Sequence, residues 1–123
     1  VALRAIPCLY CVTDSTAAAG MPDGEYKLGS HTVTKCLGGV RLADGTLAGS
    51  TLTMDQALRN LVKIGLPISE ASQRLSQFPA DYLGLEERGR LQPGSFADCV
   101  RLDRSLHLTD VMVEGDTIDF KNA

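Results

Sequence analysis

One apolar run, Cys8-Leu9-Tyr10-Cys11-Val12, breaks off abruptly at Thr13-Asp14-Ser15. Nearly continuous hydrophobicity without alternation predicts a strand covered on both faces, as in the parallel sheets of α/β proteins. Such a strand forms only beside parallel neighbours that crossover connections bring to it. No βα unit precedes residues 8–12 to supply them, so the expectation is one sheet strand whose partners lie in a missing N-terminal portion. Size does not forbid a core. For 123 residues, area scaling gives about 6,400 Å² folded against about 19,000 Å² unfolded, so about two thirds of the surface can be buried.

The pattern then changes. Residues 17–24 form a small-residue loop with two turn signals, Gly20 and Pro22-Asp23-Gly24. Residues 26–28, 32–35 and 38–42 read as short strands, with Gly29 and Gly38-Gly39 as turns or bulges and Asp44-Gly45 as a hairpin-type turn. Thr53-Met54-Asp55-Gln56 fits a capping box, and Met54, Ala57, Leu58, Leu61 and Val62 follow as an apolar stripe of helical period. Gly65 stops that helix and Pro67 prevents its resumption. A second helix starts near Ser69 and runs through Ala71, Leu75 and Ser76, and Pro79 opens a third that ends at Gly84. Beyond the Pro93-Gly94 turn, strands are expected at 98–102, 108–113 and 117–120, the last closing at Phe120 after a turn at Glu114-Gly115-Asp116.

Composition narrows the function classes. Apolar residues make up 44% and charged residues 22%, a balance that argues against wholesale disorder. No apolar run approaches the roughly 20 residues of a membrane-spanning helix, so no membrane partner is expected. Residues 1–7 lack the apolar stretch of a signal peptide. Twelve Lys and Arg against fifteen Asp and Glu leave a net charge of −3. Only Arg88 and Arg90 lie close together, which is no footprint for nucleic acid. A small anionic ligand stays open, because one Arg or a helix N-terminus can hold a phosphate. Cys8 and Cys11 form a C-x-x-C, but neither Cys36 nor Cys99 supplies a second pair at zinc-finger spacing. The pair reads as small apolar residues in a buried strand of a cytosolic protein rather than as a redox motif at a helix start.

Asp14 stands out by position. A carboxylate just beyond a buried strand occupies the face on which α/β barrels display catalytic groups. There it could take a proton from an attacking water and return it to a leaving group. The plainer alternative is an Asp that stabilises the following turn through its own backbone, and position alone leaves both open. In Leu47-Ala48-Gly49-Ser50-Thr51-Leu52-Thr53, small residues and hydroxyls leading into a helix let backbone groups approach a polar ligand. By spacing alone that segment reads as a loop ending in an N-cap. His31 and His107 have no carboxylate at ligand spacing and read as surface or strand residues rather than metal ligands. No G-x-S-x-G, P-loop or G-x-G-x-x-G occurs, so serine hydrolase and nucleotide-binding readings lack support.

Three segments together carry a family resemblance. Val12-Thr13-Asp14-Ser15-Thr16-Ala17-Ala18-Ala19-Gly20 and Asp44-Gly45-Thr46-Leu47-Ala48-Gly49-Ser50-Thr51-Leu52-Thr53-Met54 resemble the C-terminal part of amino-sugar-6-phosphate deacetylases of the amidohydrolase superfamily. Gly89-Arg90-Leu91-Gln92-Pro93-Gly94-Ser95-Phe96-Ala97-Asp98 looks like the G-x-L-x-P-G-x-x-A-D stretch with which many amidohydrolases re-enter a small β domain. That third motif points only to the superfamily, whereas the first two, in this order and spacing, are more specific.

The resemblance implies an α/β fold: the C-terminal piece of a (β/α)₈ amidohydrolase barrel, its last strand and helices, plus strands of a small β-sandwich domain. Residues 1–90 would belong to the barrel and 91–123 to the sandwich. It implies that Asp14 activates water on a divalent metal, zinc or similar, and protonates the leaving amine. It implies that Leu47, Ala48 and Gly49 contact an N-acetyl amino sugar 6-phosphate substrate. The family takes its metal ligands, a glutamate and histidines, from earlier strands that are absent here, so no metal ligand is expected in this chain. One strand cannot close a barrel, and the isolated chain is expected to be an inactive fragment of a cytoplasmic, homo-oligomeric enzyme. Two other readings compete: another amidohydrolase of the cyclic-amide type, or a non-catalytic remnant module that self-associates through apolar edges around residues 9–12. The spelling Cys36-Leu37-Gly38-Gly39-Val40 leans toward a galactosamine rather than a glucosamine substrate.

Overall fold

Turn residues divide the first part of the chain into four short strands, and those strands pair in sequence order. The computed structural model describes residues 2–119. After a one-turn helix, α1 (Ala2–Ala5), come β1 (Gly24–Leu28), β2 (His31–Cys36), β3 (Gly39–Leu42) and β4 (Leu47–Ser50). Next are three helices, α2 (Met54–Lys63), α3 (Ile68–Leu75) and α4 (Gln77–Tyr82), and then β5 (Cys99–Leu102), β6 (Leu108–Val113) and β7 (Asp116–Ile118). The architecture mixes helices with two antiparallel sheets, ordered β1-β2-β3-β4 and β5-β6-β7. Contacts divide the chain into two units, Val12–Ala57 and the remaining described residues.

In the first unit, register places one apolar set on one face. Val33 lies opposite Tyr26 in β1 and Leu42 in β3, and Val40 follows two residues before Leu42. Because side chains alternate along a strand, these residues share a face. Val33, Val40 and Ala18 are the buried core, with Tyr26, Leu28, Leu42 and Ala48 packed around them. Ala18, from the small-residue loop, is therefore a core residue. The β3–β4 hairpin closes where Leu42 donates to the Thr46 carbonyl at 2.9 Å and the Asp44 Oδ1 accepts the Thr46 amide at 2.9 Å. This is the turn expected at Asp44-Gly45.

In the second unit, helix ends follow sequence signals. At the C-terminus of α2, the Leu66 amide reaches the Leu61 carbonyl at 3.1 Å and the Gly65 amide the Val62 carbonyl at 2.9 Å. That paired arrangement is a Schellman cap, and α4 repeats it with Leu85 to Ala80 and Gly84 to Asp81. Arg74 on α3, only 3% exposed, is the one charged residue in the described interior. Its guanidinium donates to the Leu3 and Leu9 carbonyls, each at 2.7 Å, and to Glu70 Oε1. Each of the three guanidinium nitrogens thus has a partner, as burial of a charge requires. The chain re-enters the β5–β7 sheet through Gln92-Pro93-Gly94-Ser95, where the Ser95 amide closes on the Gln92 carbonyl at 3.1 Å.

Three sequence expectations fail. Residues 8–12 form no strand: Cys8 and Val12 are exposed, and Leu9, Tyr10 and Cys11 are half-buried. A strand is a ladder property, and no strand among the described residues lies beside this run, whose backbone amides bond locally, Leu9 to the Ile6 carbonyl at 3.3 Å, and to a helix, Cys11 to the Arg74 carbonyl at 3.0 Å. Cys8 and Cys11 are accordingly free thiols outside any strand, not buried strand residues. Second, Leu47–Ser50 is a strand rather than a loop, because β3 supplies a pairing edge that local propensity does not reveal. Third, α4 begins at Gln77, not at Pro79, since a proline in the first turn has no intrahelical amide bond to lose. The expected closure of the last strand at Phe120 lies outside the described residues, whereas β7 covers Asp116–Ile118.

Candidate functional site

The two segments singled out by sequence, around Asp14 and Leu47–Ser50, meet within the first unit. Thr13, Asp14 and Thr16 are all bonded to one residue, Ser50, at the end of β4. The Ser50 amide donates to the Asp14 carbonyl at 2.7 Å, and the Thr16 amide donates to the Ser50 carbonyl at 3.0 Å. The Ser50 hydroxyl donates to the Thr13 carbonyl and accepts the Leu52 amide at 3.0 Å. Ser15 and Ser50 make an isolated parallel bridge, a single rung of the ladder that residues 8–12 lack.

Gly49 makes this approach geometrically feasible. It is buried, with φ +142°, and a Cβ built on it would stand 2.7 Å from Thr16 Cγ2 and 3.1 Å from the Asp14 carbonyl oxygen. Only a residue without a Cβ lets the two backbones come so near. The same Cβ position lies 3.9 Å from Asp14 Oδ2, so the carboxylate stands next to the bare backbone of β4.

Asp14 itself adopts φ +51° and is exposed. The left-handed region is one that Asp tolerates better than most residues. Among the described residues no donor bonds its carboxylate, which leaves both oxygens open to solvent and solute. The turn-capping alternative therefore does not describe this side chain. Leu47 is 62% exposed, Ala48 packs on the core and Gly49 is buried, so Leu47 is the most open of the three.

Ser50, Thr13 and Thr16 lie in the segments singled out by sequence, but sequence assigned none of them a role of its own. The signal was present in the clustering of hydroxyls, Thr13-Asp14-Ser15-Thr16 and Ser50-Thr51, but it becomes informative only when the two clusters meet. The histidines do not join the site. His31 is exposed at the start of β2, and His107 lies in the second unit with Nδ1 3.6 Å from Asp103 Oδ2. Backbone amides, His107 first and then Ser105, hold the Asp103 carboxyl below the usual carboxylate range, so this aspartate shapes a turn. Among the described residues no group of three or more His, Cys, Asp or Glu could hold a metal ion.

The Gly89-to-Asp98 motif is structural here. The Arg88 guanidinium stacks on the Phe96 ring at 4.1 Å and pairs with Asp98 and Glu114. The other oxygen of Asp98 accepts the Glu114 amide at 2.8 Å. Gly89 passes so close to α4 that a Cβ would lie 2.7 Å from both Ala80 Cβ and the Ser76 carbonyl oxygen.

No family model matches the chain. Individual relatives do. A putative N-acetylgalactosamine-6-phosphate deacetylase of Escherichia coli K12 is 43% identical over 114 residues, covering 91% of this chain and 68% of that protein. The N-acetylgalactosamine-6-phosphate deacetylase of E. coli O157:H7 is equally similar, 43% over 114 residues, but the chain spans only 30% of its length. Among solved structures, the N-acetylglucosamine-6-phosphate deacetylase of Thermotoga maritima superposes with a TM-score of 0.82 at 43% identity, over 89% of this chain and 30% of that one. A substituted Mycobacterium smegmatis N-acetylglucosamine-6-phosphate deacetylase, in complex with N-acetylglucosamine 6-phosphate, gives a TM-score of 0.82 at 41% identity over the same shares. With sequence, three-dimensional fold and more than two thirds of one relative's length in agreement, the chain belongs to the family of N-acetylgalactosamine- and N-acetylglucosamine-6-phosphate deacetylases.

Proposed function

We propose that this chain contributes Asp14 and the β4 edge to an enzyme that hydrolyses an N-acetyl amino sugar 6-phosphate to the amino sugar 6-phosphate and acetate, in amino-sugar catabolism. The observation that carries this reading is the junction of Asp14 with Leu47–Ser50 across the bare backbone of Gly49. It puts an open carboxylate beside the strand that carries the exposed Leu47 side chain.

Amide hydrolysis needs two proton movements. Water must lose a proton as it attacks the acetyl carbon, and the sugar nitrogen must gain one as the C–N bond breaks. A single carboxylate can do both in turn, ending in its starting state. Asp14 is suited to this role because its oxygens face solvent without a protein donor to satisfy first. Leu47, Ala48 and Gly49 are the proposed substrate-contacting residues.

The divalent metal that the family resemblance implies does not fit the donors present: no cluster of three or more ligand-type side chains exists among the described residues. No step here runs through a metal, and its ligands would come from other residues. On the same reading, residues 1–90 take the place of the end of a (β/α)₈ barrel and 91–123 that of sandwich strands. The working enzyme would be a cytoplasmic homo-oligomer, and the 123-residue chain alone would be inactive. Relatives at 43% identity carry both the galactosamine and the glucosamine name, so the lean toward galactosamine rests on the spelling of residues 36–40 alone. The test is acetate release from both N-acetyl amino sugar 6-phosphates by the protein purified from its source, with Asp14→Asn beside it. Turnover that survives the substitution refutes the assignment.

A further inference from the structure

The two peptide planes that flank the Asp14 Cα are both held by Ser50. The plane between Thr13 and Asp14 is fixed through the Thr13 carbonyl, which accepts the Ser50 hydroxyl. The plane between Asp14 and Ser15 is fixed through the Asp14 carbonyl, which accepts the Ser50 amide at 2.7 Å. Rotation of the first plane about N–Cα is φ and rotation of the second about Cα–C is ψ. Fixing both planes fixes the direction in which Cβ leaves the backbone, and with it the root from which the carboxylate turns. Beyond Asp14, the Thr16 amide at 3.0 Å and its hydroxyl at 3.4 Å both point at the Ser50 carbonyl.

We infer that Ser50 is the positioning residue for Asp14, with its hydroxyl and amide clamping the left-handed backbone from which the proton-carrying carboxylate projects. This rests on the reading of Asp14 as the proton carrier. The hydroxyl is the separable part of the clamp. Alanine at this position keeps both backbone bonds and loses only the link to the Thr13 carbonyl and the Leu52 amide. The first plane is then released, and Asp14 is free to leave φ +51° for the broader regions that L-residues prefer. A hydroxyl that served only the sheet would leave Asp14 where it is.

The experiment is nuclear magnetic resonance on the full chain, comparing Ser50→Ala, Ser50→Thr and the unchanged protein. Its readouts are the amide-to-Hα coupling and Cα shift of Asp14, together with amide exchange at Ser50 and Thr16. In Ser50→Ala, the Asp14 signals move out of the left-handed range, and the two amides exchange about tenfold faster. The Val33 and Val40 methyl resonances stay in place, and Ser50→Thr, which keeps a hydroxyl, restores the Asp14 signals. Unchanged Asp14 coupling in Ser50→Ala overturns the inference. Should that variant lose the Val33 and Val40 resonances, the nearly isosteric Ser50→Cys decides, because a native Asp14 coupling with so weak a donor also overturns it. The catalytic reading fails by a different result, acetate release by the native protein that is indifferent to Asp14→Asn. That result leaves the clamp geometry intact, so the two failures are told apart.

Discussion

Gly49 and Thr16 approach so closely that a Cβ on the glycine would lie 2.7 Å from the threonine Cγ2. The contact marks where the Asp14 segment lies against β4, and it makes the glycine a requirement of the site. Gly49→Ala should destabilise the first unit by about 2 kcal/mol or more, from backbone strain and the clash together. Urea unfolding monitored at Tyr26, with the exposed-turn variant Gly45→Ala as the comparison, checks this. Equal midpoints for the two variants would refute the close-approach argument.

Asp14→Asn removes the proton carrier while keeping shape. On the proposed mechanism it lowers kcat of the native protein by about a hundredfold to ten-thousandfold, the usual worth of a general acid–base group. Because the carboxylate has no protein partner to lose, the unfolding midpoint should hardly change. A midpoint shift that accounts for the lost turnover would assign the residue a structural role instead.

Gly89 passes close to Ala80 of α4 and to Ser76 just before it. Gly89→Ala should cost stability on the order of 1–3 kcal/mol, because both Ala80 Cβ and the Ser76 carbonyl stand in the way and φ is +77°. Substrate affinity of the native protein should be unaffected where the fold persists. Calorimetry and a KM comparison separate the two effects.

Arg74→Met should be among the more destabilising single changes. It strips the part-buried Leu3 and Leu9 carbonyls of their donor, at up to about 1–3 kcal/mol for each acceptor that water does not reach. Amide exchange at Cys11, whose amide donates to the Arg74 carbonyl, should rise as residues 2–11 loosen.

Acid should open two turns before it unfolds either sheet. The Thr46 amide holds the Asp44 carboxyl below the usual carboxylate range, and the His107 and Ser105 amides do the same for Asp103. A depressed folded pKa contributes stability that is fully present above the unfolded value, about 3.9. That contribution is lost as pH falls through the folded value, which lies lower. Titration followed at the Thr46 and Ser105 amides should therefore show transitions below pH about 3.9. Asp44→Asn should abolish the one at Thr46 alone.

Much of the fold was legible because its signals are local. Gly65 and Pro67 bound α2, Pro93-Gly94 makes its turn, and residues 108–113 form β6 as read. Each depends on the dihedral limits or side-chain period of a few consecutive residues. What sequence missed is the state of two segments that pairing decides. Residues 8–12 have the composition of a strand and, as expected, no partner in this chain, so they form none, while Leu-Ala-Gly-Ser has poor strand propensity and a good partner in β3. Pairing is a nonlocal property, and it overrides propensity in both directions.

The same division runs through the site. Sequence by itself determined that an aspartate follows an apolar run and that a small-residue segment precedes α2, and the wording of both segments pointed to the family. It could not place Ser50 between them. Only the tertiary structure decided that the β4 backbone passes Asp14 at Gly49, and that Ser50 holds the peptide planes on either side of that carboxylate. The physical reason is that a missing Cβ and a serine hydroxyl carry no distinguishing pattern along a chain. Their meaning depends on which backbone lies within 3 Å of them, and β-sheet register sets that distance.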